Sequence, residues 1–213
     1  MKRNYDEKQA WVLMNMHLNG DPVDAETASK ITAGDYVLNA TIEEHMAITS
    51  MLEVLPLMRT MIGMEEELRP DSLKKFYRSL TGGREAVYRK TTPILFHLSY
   101  NPVLPLEIEP ELVKTFSLRE IEGKNLDAID RAVYVHNSII RIYPFESDNE
   151  IIARAAMEYM LMSAGLPLCP ISLSEQEYNG ALAEYLKKGR EQVIGKNLRT
   201  NMLMLEDMEQ ENR

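Results

Sequence analysis

The sequence predicts a mainly α, single-domain protein that carries one β-hairpin flap. Apolar residues recur at helical spacing through most of the chain. Ile129, Val133, His136 and Ile140, at i, i+4, i+7 and i+11, show it most clearly. Helix stop signals punctuate these stretches, among them Gly20, Pro144 and Gly165. Only residues 84–105 change character. There Val87, Tyr88, Ile94, Leu95, Phe96, Leu98 and Tyr100 are β-prone, with breaks at Pro93 and Pro102. A chain of 213 residues suits one domain with a sizeable core. The N-terminal helical part, residues 1–68, and the core with its C-terminal helices, residues 69–213, read as one compact unit.

Taken in order, residues 4–19 predict a helix with Ala10, Leu13, Met14 and His17 on one face. Trp11, the single tryptophan, reads as a core residue. A turn at Asp21 and a short helix through Ile31 follow, and Gly34 and Asp35 break the pattern. Residues 36–55 are helical in pattern, through Val37, Ile42, Met46, Thr49 and Leu52, with a helix junction at Pro56. Met58, Met61, Met64 and Leu68 continue an apolar stripe that fits core filling. A helix over 70–80 ends at Gly82 and Gly83, and another spans 106–116. Residues 120–125 form a polar turn, with Asn125 as N-cap of the helix running into Tyr143. Pro144 removes a backbone donor and pushes Tyr143 out of the α region, so that helix stops there. Ser147 and Glu150 have capping-box spacing, which predicts a new helix from Ser147, give or take two residues. Ile152, Ala155, Ala156 and Tyr159 continue its apolar face. Helices over 174–188 and 197–208 complete the chain.

The loop between the two central helices carries the chemistry. Its residues are Tyr143, Pro144, Phe145, Glu146, Ser147, Asp148, Asn149, Glu150, Ile151, Ile152, Ala153 and Arg154. This stretch resembles the Fic (Fido) signature His-Pro-Phe-x-Asp/Glu-Gly-Asn-Gly-Arg-x-x-Arg. Pro144, Phe145, Asn149 and Arg154 match it. Tyr143 stands at the catalytic His and Ser147 at the metal-binding acid. Asp148 and Glu150 replace two glycines, and Ile151 replaces the first arginine. The flanks resemble the family too: His136 precedes Tyr143 by seven residues, and Val87 through Ile94 resembles the family's Tyr-Arg segment and flap. The likeness covers roughly residues 70–190.

The resemblance implies transfer of AMP from ATP to a protein hydroxyl, with Mg²⁺ on the phosphates. It implies that Asn149 and Arg154 contact the nucleotide and that Tyr178 lies near the base. Glu146 or Asp148 would serve as a displaced metal acid, because Mg²⁺ needs only one or two carboxylates plus phosphates. Residues 39–44 resemble the family's inhibitory motif Ser/Thr-x-x-x-Glu-Gly/Asn, which sets Glu43 against Arg154. The flap, residues 84–100, would dock a protein target beside the loop.

The residues weigh against that chemistry. Tyrosine, near pKa 10, is a poor base at neutral pH where histidine is a good one. Asp148 and Glu150 place carboxylates at a helix N-terminus, where a phosphate would otherwise be attracted. Two readings follow: a Fic-fold protein with an eroded AMP-transferase site that works by binding or regulation, or a divergent adenylyltransferase. A helical structural protein without a ligand site is a weaker third. The net charge of −9 argues against general nucleic-acid or anionic-membrane binding. Cys169 is the single cysteine, so no intrachain disulfide forms. No run of about 18 apolar residues suggests a membrane span, and the N-terminus lacks an apolar signal core, so a cytoplasmic location is expected. A homo-oligomer is compatible with all readings.

Overall fold

The computed structural model describes residues 6–21, 23–117, 126–190 and 192–211. Its helices are α1 (Glu7–Leu18), α2 (Ala25–Thr32), α3 (Ile42–Gly63), α4 (Pro70–Leu80), α5 (Ile108–Thr115), α6 (Ala128–Ile142), α7 (Asn149–Ser163), α8 (Glu175–Lys188) and α9 (Val193–Glu211). The antiparallel pair α6–α7 is the centre, with α3, α4, α5, α8 and α9 packed around it and α1 laid across α3 and α8. One apolar cluster runs from Trp11 to Met202 and includes Phe76, Ile139, Phe145, Ile152, Met157 and Leu198. Trp11 is fully buried, and its indole N–H donates to the Met51 carbonyl at 2.9 Å, tying α1 to α3.

Local chemistry sets most boundaries. Asp6 and Asp24 cap α1 and α2 by accepting from first-turn amides. Thr41 and Glu44 form a capping box that starts α3 at Ile42. Residues 36–41, expected to be helical, are therefore a loop, with the Tyr36 ring stacked on His45. The junction expected at Pro56 is absent, for α3 runs through it to Gly63. Val54, Leu55, Met58 and Met61 are buried on either side, so packing holds the helix across the missing N–H donor. Length and composition would let α3 cross a membrane, but here it packs on α1, α2, α4 and α7.

The expected β-hairpin flap is not formed. Residues 84–105 fold back on themselves, but among the described residues their pairing is one antiparallel bridge, Leu95 with Tyr100, around a 3₁₀ turn at Phe96–Leu98. The cause lies in the hydrogen-bonding groups. Pro93 and Pro102 lack donors, and the carbonyls of Thr91 and Val103 are taken by the Arg89 guanidinium. The turn expected at 120–125, with Asn125 as cap, lies outside the described residues.

Candidate functional site

Helix α6 ends at Tyr143, which adopts the left-handed conformation (φ 51°) while its N–H donates to Ile139 O at 2.7 Å. A bulky side chain there is strained by about 1–2 kcal/mol, so something must hold it. Arg89 does. This buried guanidinium donates to the carbonyls of Tyr143 (2.7 Å), Ile142 (3.1 Å), Thr91 (2.7 Å) and Val103, and its backbone N–H donates to Pro144 O. The flap is thereby fastened beside the loop. Phe145 points into the core and stacks on Tyr77, with ring centroids 4.6 Å apart. Asn149 is fully buried and closes the loop from within. Its Oδ1 accepts from Phe145 N–H at 2.8 Å and its Nδ2 donates to Phe145 O at 2.9 Å. The matched Asn149 is thus engaged in loop structure.

Helix α7 starts at Asn149, within the two residues expected, but the capping box expected at Ser147 is a miss: the N-cap is Asp148, which is left-handed (φ 62°) and makes no side-chain cap bond. Ser147 Oγ donates to Asp148 Oδ2, and Glu150 turns away to accept the Tyr143 hydroxyl at 2.9 Å. A left-handed Asp148 swings the Ser147 backbone out of capping register. Burial and the adjacent Glu150 carboxylate both push the Tyr143 phenol well above its ordinary value. It is a hydrogen-bond donor, not a base.

Arg154 is fully buried. Its Nε donates to Asn15 Oδ1 at 2.7 Å, Nη1 to the Tyr178 hydroxyl at 3.3 Å and Nη2 to Asn19 Oδ1. Tyr178 in turn lies 2.8 Å from His136 Nε2, and His136 Nδ1 lies 2.8 Å from Asn137 Oδ1. Burial lowers the His136 pKa to about 4, so the ring is neutral. A neutral ring with Nδ1–H on Asn137 accepts from Tyr178 at Nε2, which leaves the tyrosine oxygen to accept from Arg154. Tyr178 is therefore a buried link in a polar chain, the core role rather than the base-contact role.

The expected Glu43–Arg154 pair does not form. Glu43 is exposed in the first turn of α3, and the arginine's acceptors are Asn15 and Asn19 at the end of α1 and Tyr178 on α8. Asn15, Asn19 and Gly20 repeat the spacing of the inhibitory motif, with an amide where the family has its carboxylate. The stretch that meets Arg154 is this Asn-x-x-x-Asn-Gly run, two helices before the one on which the sequence sets the motif.

A cavity of about 430 Å³ opens in front of the loop, lined by Leu18, Asn19, Asp21, His97, Glu150, Glu175 and Asn179. His97 Nε2 stands 3.9 Å from Glu150 Oε1 across it. A larger hollow of about 540 Å³, bounded by Ile62, Leu68, Phe116 and Tyr159, touches none of the signature residues. The two proposed metal acids do not converge on the cavity. Glu146 accepts from Lys90 N–H on the flap side at 3.2 Å. Asp148 lines a separate groove of about 290 Å³ with Met46, Ser50, Thr81 and Arg84. Among the described residues no three His, Cys, Asp or Glu side chains cluster to hold a metal. The two carboxylates expected to hold Mg²⁺ thus stand on different sides of the loop. Cys169 is buried with its thiol pushed up to about 12, an inert core residue.

A helical domain whose central hairpin presents a loop at a helix N-terminus, under a clamped flap, has the architecture of a Fic domain. Residues 67–161 match the Fic/DOC family, and this part of the chain is a Fic/DOC domain. Protein adenylyltransferase fic-1 of Caenorhabditis elegans is 22% identical over 160 residues, which is 72% of this chain and 32% of that protein. The chain thus spans about a third of this curated relative's length. Fic-1 from C. elegans superposes with a TM-score of 0.74 at 16% identity, over 96% of this chain and 64% of that one. A Fic family protein from Desulfovibrio desulfuricans superposes with a TM-score of 0.78 at 13% identity, over 95% and 65%. A Fic-domain-containing signaling protein from Bacteroides thetaiotaomicron does so at 0.73 and 16%, over 94% and 82%.

Proposed function

We propose that this chain is a Fic-fold protein whose AMP-transfer site is impaired, and that it works as a binding or regulatory module. One observation carries the reading: Tyr143, at the catalytic histidine position, donates its hydroxyl to Glu150 and is held further from ionisation than a free tyrosine. Loss of a general base alone commonly removes about 10²- to 10⁴-fold of rate. The partner surface is the flap, where Val87, Ile94 and Phe96 are exposed beside the loop, and the partner is a protein. Incubation with ATP labelled at the α-phosphate, Mg²⁺ and a protein extract tests the reading. No labelled protein is the expected outcome; labelling at the level of an active Fic enzyme overturns it.

The second reading, a divergent protein adenylyltransferase using ATP and Mg²⁺, is favoured by the likeness to protein adenylyltransferase fic-1 and by Arg154. That arginine is retained without a carboxylate that an incoming phosphate would have to displace.

A further inference from the structure

We infer that Glu150 decides what the cavity accepts, and that it excludes nucleoside polyphosphates independently of the lost base. Two carboxylates stand where the signature has glycine, but only one faces the cavity. Glu150 lines it, whereas Asp148 belongs to the groove on the α3–α4 side. Asp21 and Glu175 add two further carboxylates to the lining, against one basic side chain, His97, and no lysine or arginine among the described residues. The guanidinium of Arg154 is fully buried behind Asn15, Asn19 and Tyr178. A polyphosphate approaching α7 would therefore meet like charge at the position where a helix N-terminus ordinarily attracts it. Glu150 cannot swing aside freely, because the Tyr143 hydroxyl holds it at 2.9 Å and its side chain is only 22% exposed. Two departures from the signature, at Tyr143 and at Glu150, are thus the two ends of one hydrogen bond. Restoring a histidine at Tyr143 would supply a base and leave the carboxylate in place.

The inference rests on the reading of this cavity as an impaired Fic-fold site and names the ligand class that site refuses. Calorimetric titration of Mg²⁺–ATP into wild type, Glu150→Gln and Tyr143→His, at low and high ionic strength, tests it. The glutamine keeps an acceptor for Tyr143 and removes the charge. Affinity is expected to rise at least tenfold in Glu150→Gln, with the gain shrinking at high salt because screening weakens charge repulsion. Tyr143→His frees the Glu150 side chain but keeps its charge, so it is expected to gain less than Glu150→Gln; a gain in Tyr143→His equal to that in Glu150→Gln also overturns the inference. Glu150→Gly serves as a second variant if the glutamine protein melts early. Equal affinity in wild type and both Glu150 variants, including no binding in any of them, overturns the inference. So does a gain that is indifferent to salt. Labelled transfer by the wild type would instead overturn the impaired-site reading, so the two failures are separable.

Discussion

Arg89 carries more of the site than any residue of the signature. One guanidinium donates to four carbonyls from the flap and the α6 terminus, and burial lowers its pKa with only the Glu146 charge acting against that. Arginine suits the task because its planar fork aims several donors along fixed directions, whereas a lysine ammonium is a compact point charge on a flexible stem. Arg89→Met should strand these carbonyls and release the strained Tyr143 backbone. A loss of about 3 kcal/mol or more is expected, since each hydrogen bond to a charged group contributes about 1.5–3 kcal/mol. Arg89→Lys should recover less than half of it. Urea unfolding measures both, and a methionine variant within about 1 kcal/mol of wild type would refute the clamp. Arg89 was visible in the sequence only as part of a Tyr-Arg pair. Two of its four partners are backbone carbonyls 53 and 54 residues away, and all four are backbone groups, which leave no mark in composition or spacing.

At the scale of elements, what was legible followed from periodicity. Helices α6 and α7 bury Val133, Ile140, Ile152 and Ala156, the faces their spacing predicts, and the helix expected over 174–188 is α8. What failed depended on how elements meet. The flap is β-prone in composition yet forms one bridge, because its carbonyls are drawn to Arg89. The partner of Arg154 could not be chosen between α1 and α3 without knowing which helix crosses α7 at that height. Tertiary placement favoured α1. That docking makes a prediction. Asn15 and Asn19 both offer side-chain oxygens to Arg154, so α1 is held to α7 by a charge-assisted pair, while the Trp11 indole ties it to α3. Asn19→Ala should lower stability by about 1–3 kcal/mol, the cost of leaving a buried donor unsatisfied. It should also speed hydrogen exchange of the α1 amides relative to those of α6. Uniform exchange in both helices would remove the case for a separate α1 tie.

The whole molecule is held by one continuous core, and an ionisable group lies inside it. Glu158, on α7, is fully buried; its Oε2 accepts from Cys169 N–H at 3.0 Å, and its Oε1 has no partner among the described residues. Desolvation, with a smaller push from the Glu7 carboxylate, raises its pKa to about 8, so the acid is protonated when the protein folds at neutral pH. The direction of the pH effect follows. The folded pKa lies above the unfolded value of 4.5, so above that value the unfolded chain releases the proton first. The stabilising contribution is complete below pH 4.5, declines as pH rises, and is gone once pH has passed through about 8. Carboxylates with lowered values, such as Glu111 beside Arg141, act oppositely and lose their contribution only in acid. Glu158→Gln isolates the buried group, because the amide oxygen still accepts from Cys169 and carries no charge. Near pH 4.5 the variant should match wild type to within about 1 kcal/mol. Near pH 9 it should be the more stable protein by several kcal/mol, on the order of 1.4 for each unit of pKa shift. Urea unfolding of both proteins across that range reads the difference directly, and two curves that stay parallel would show that Glu158 keeps no proton in the fold.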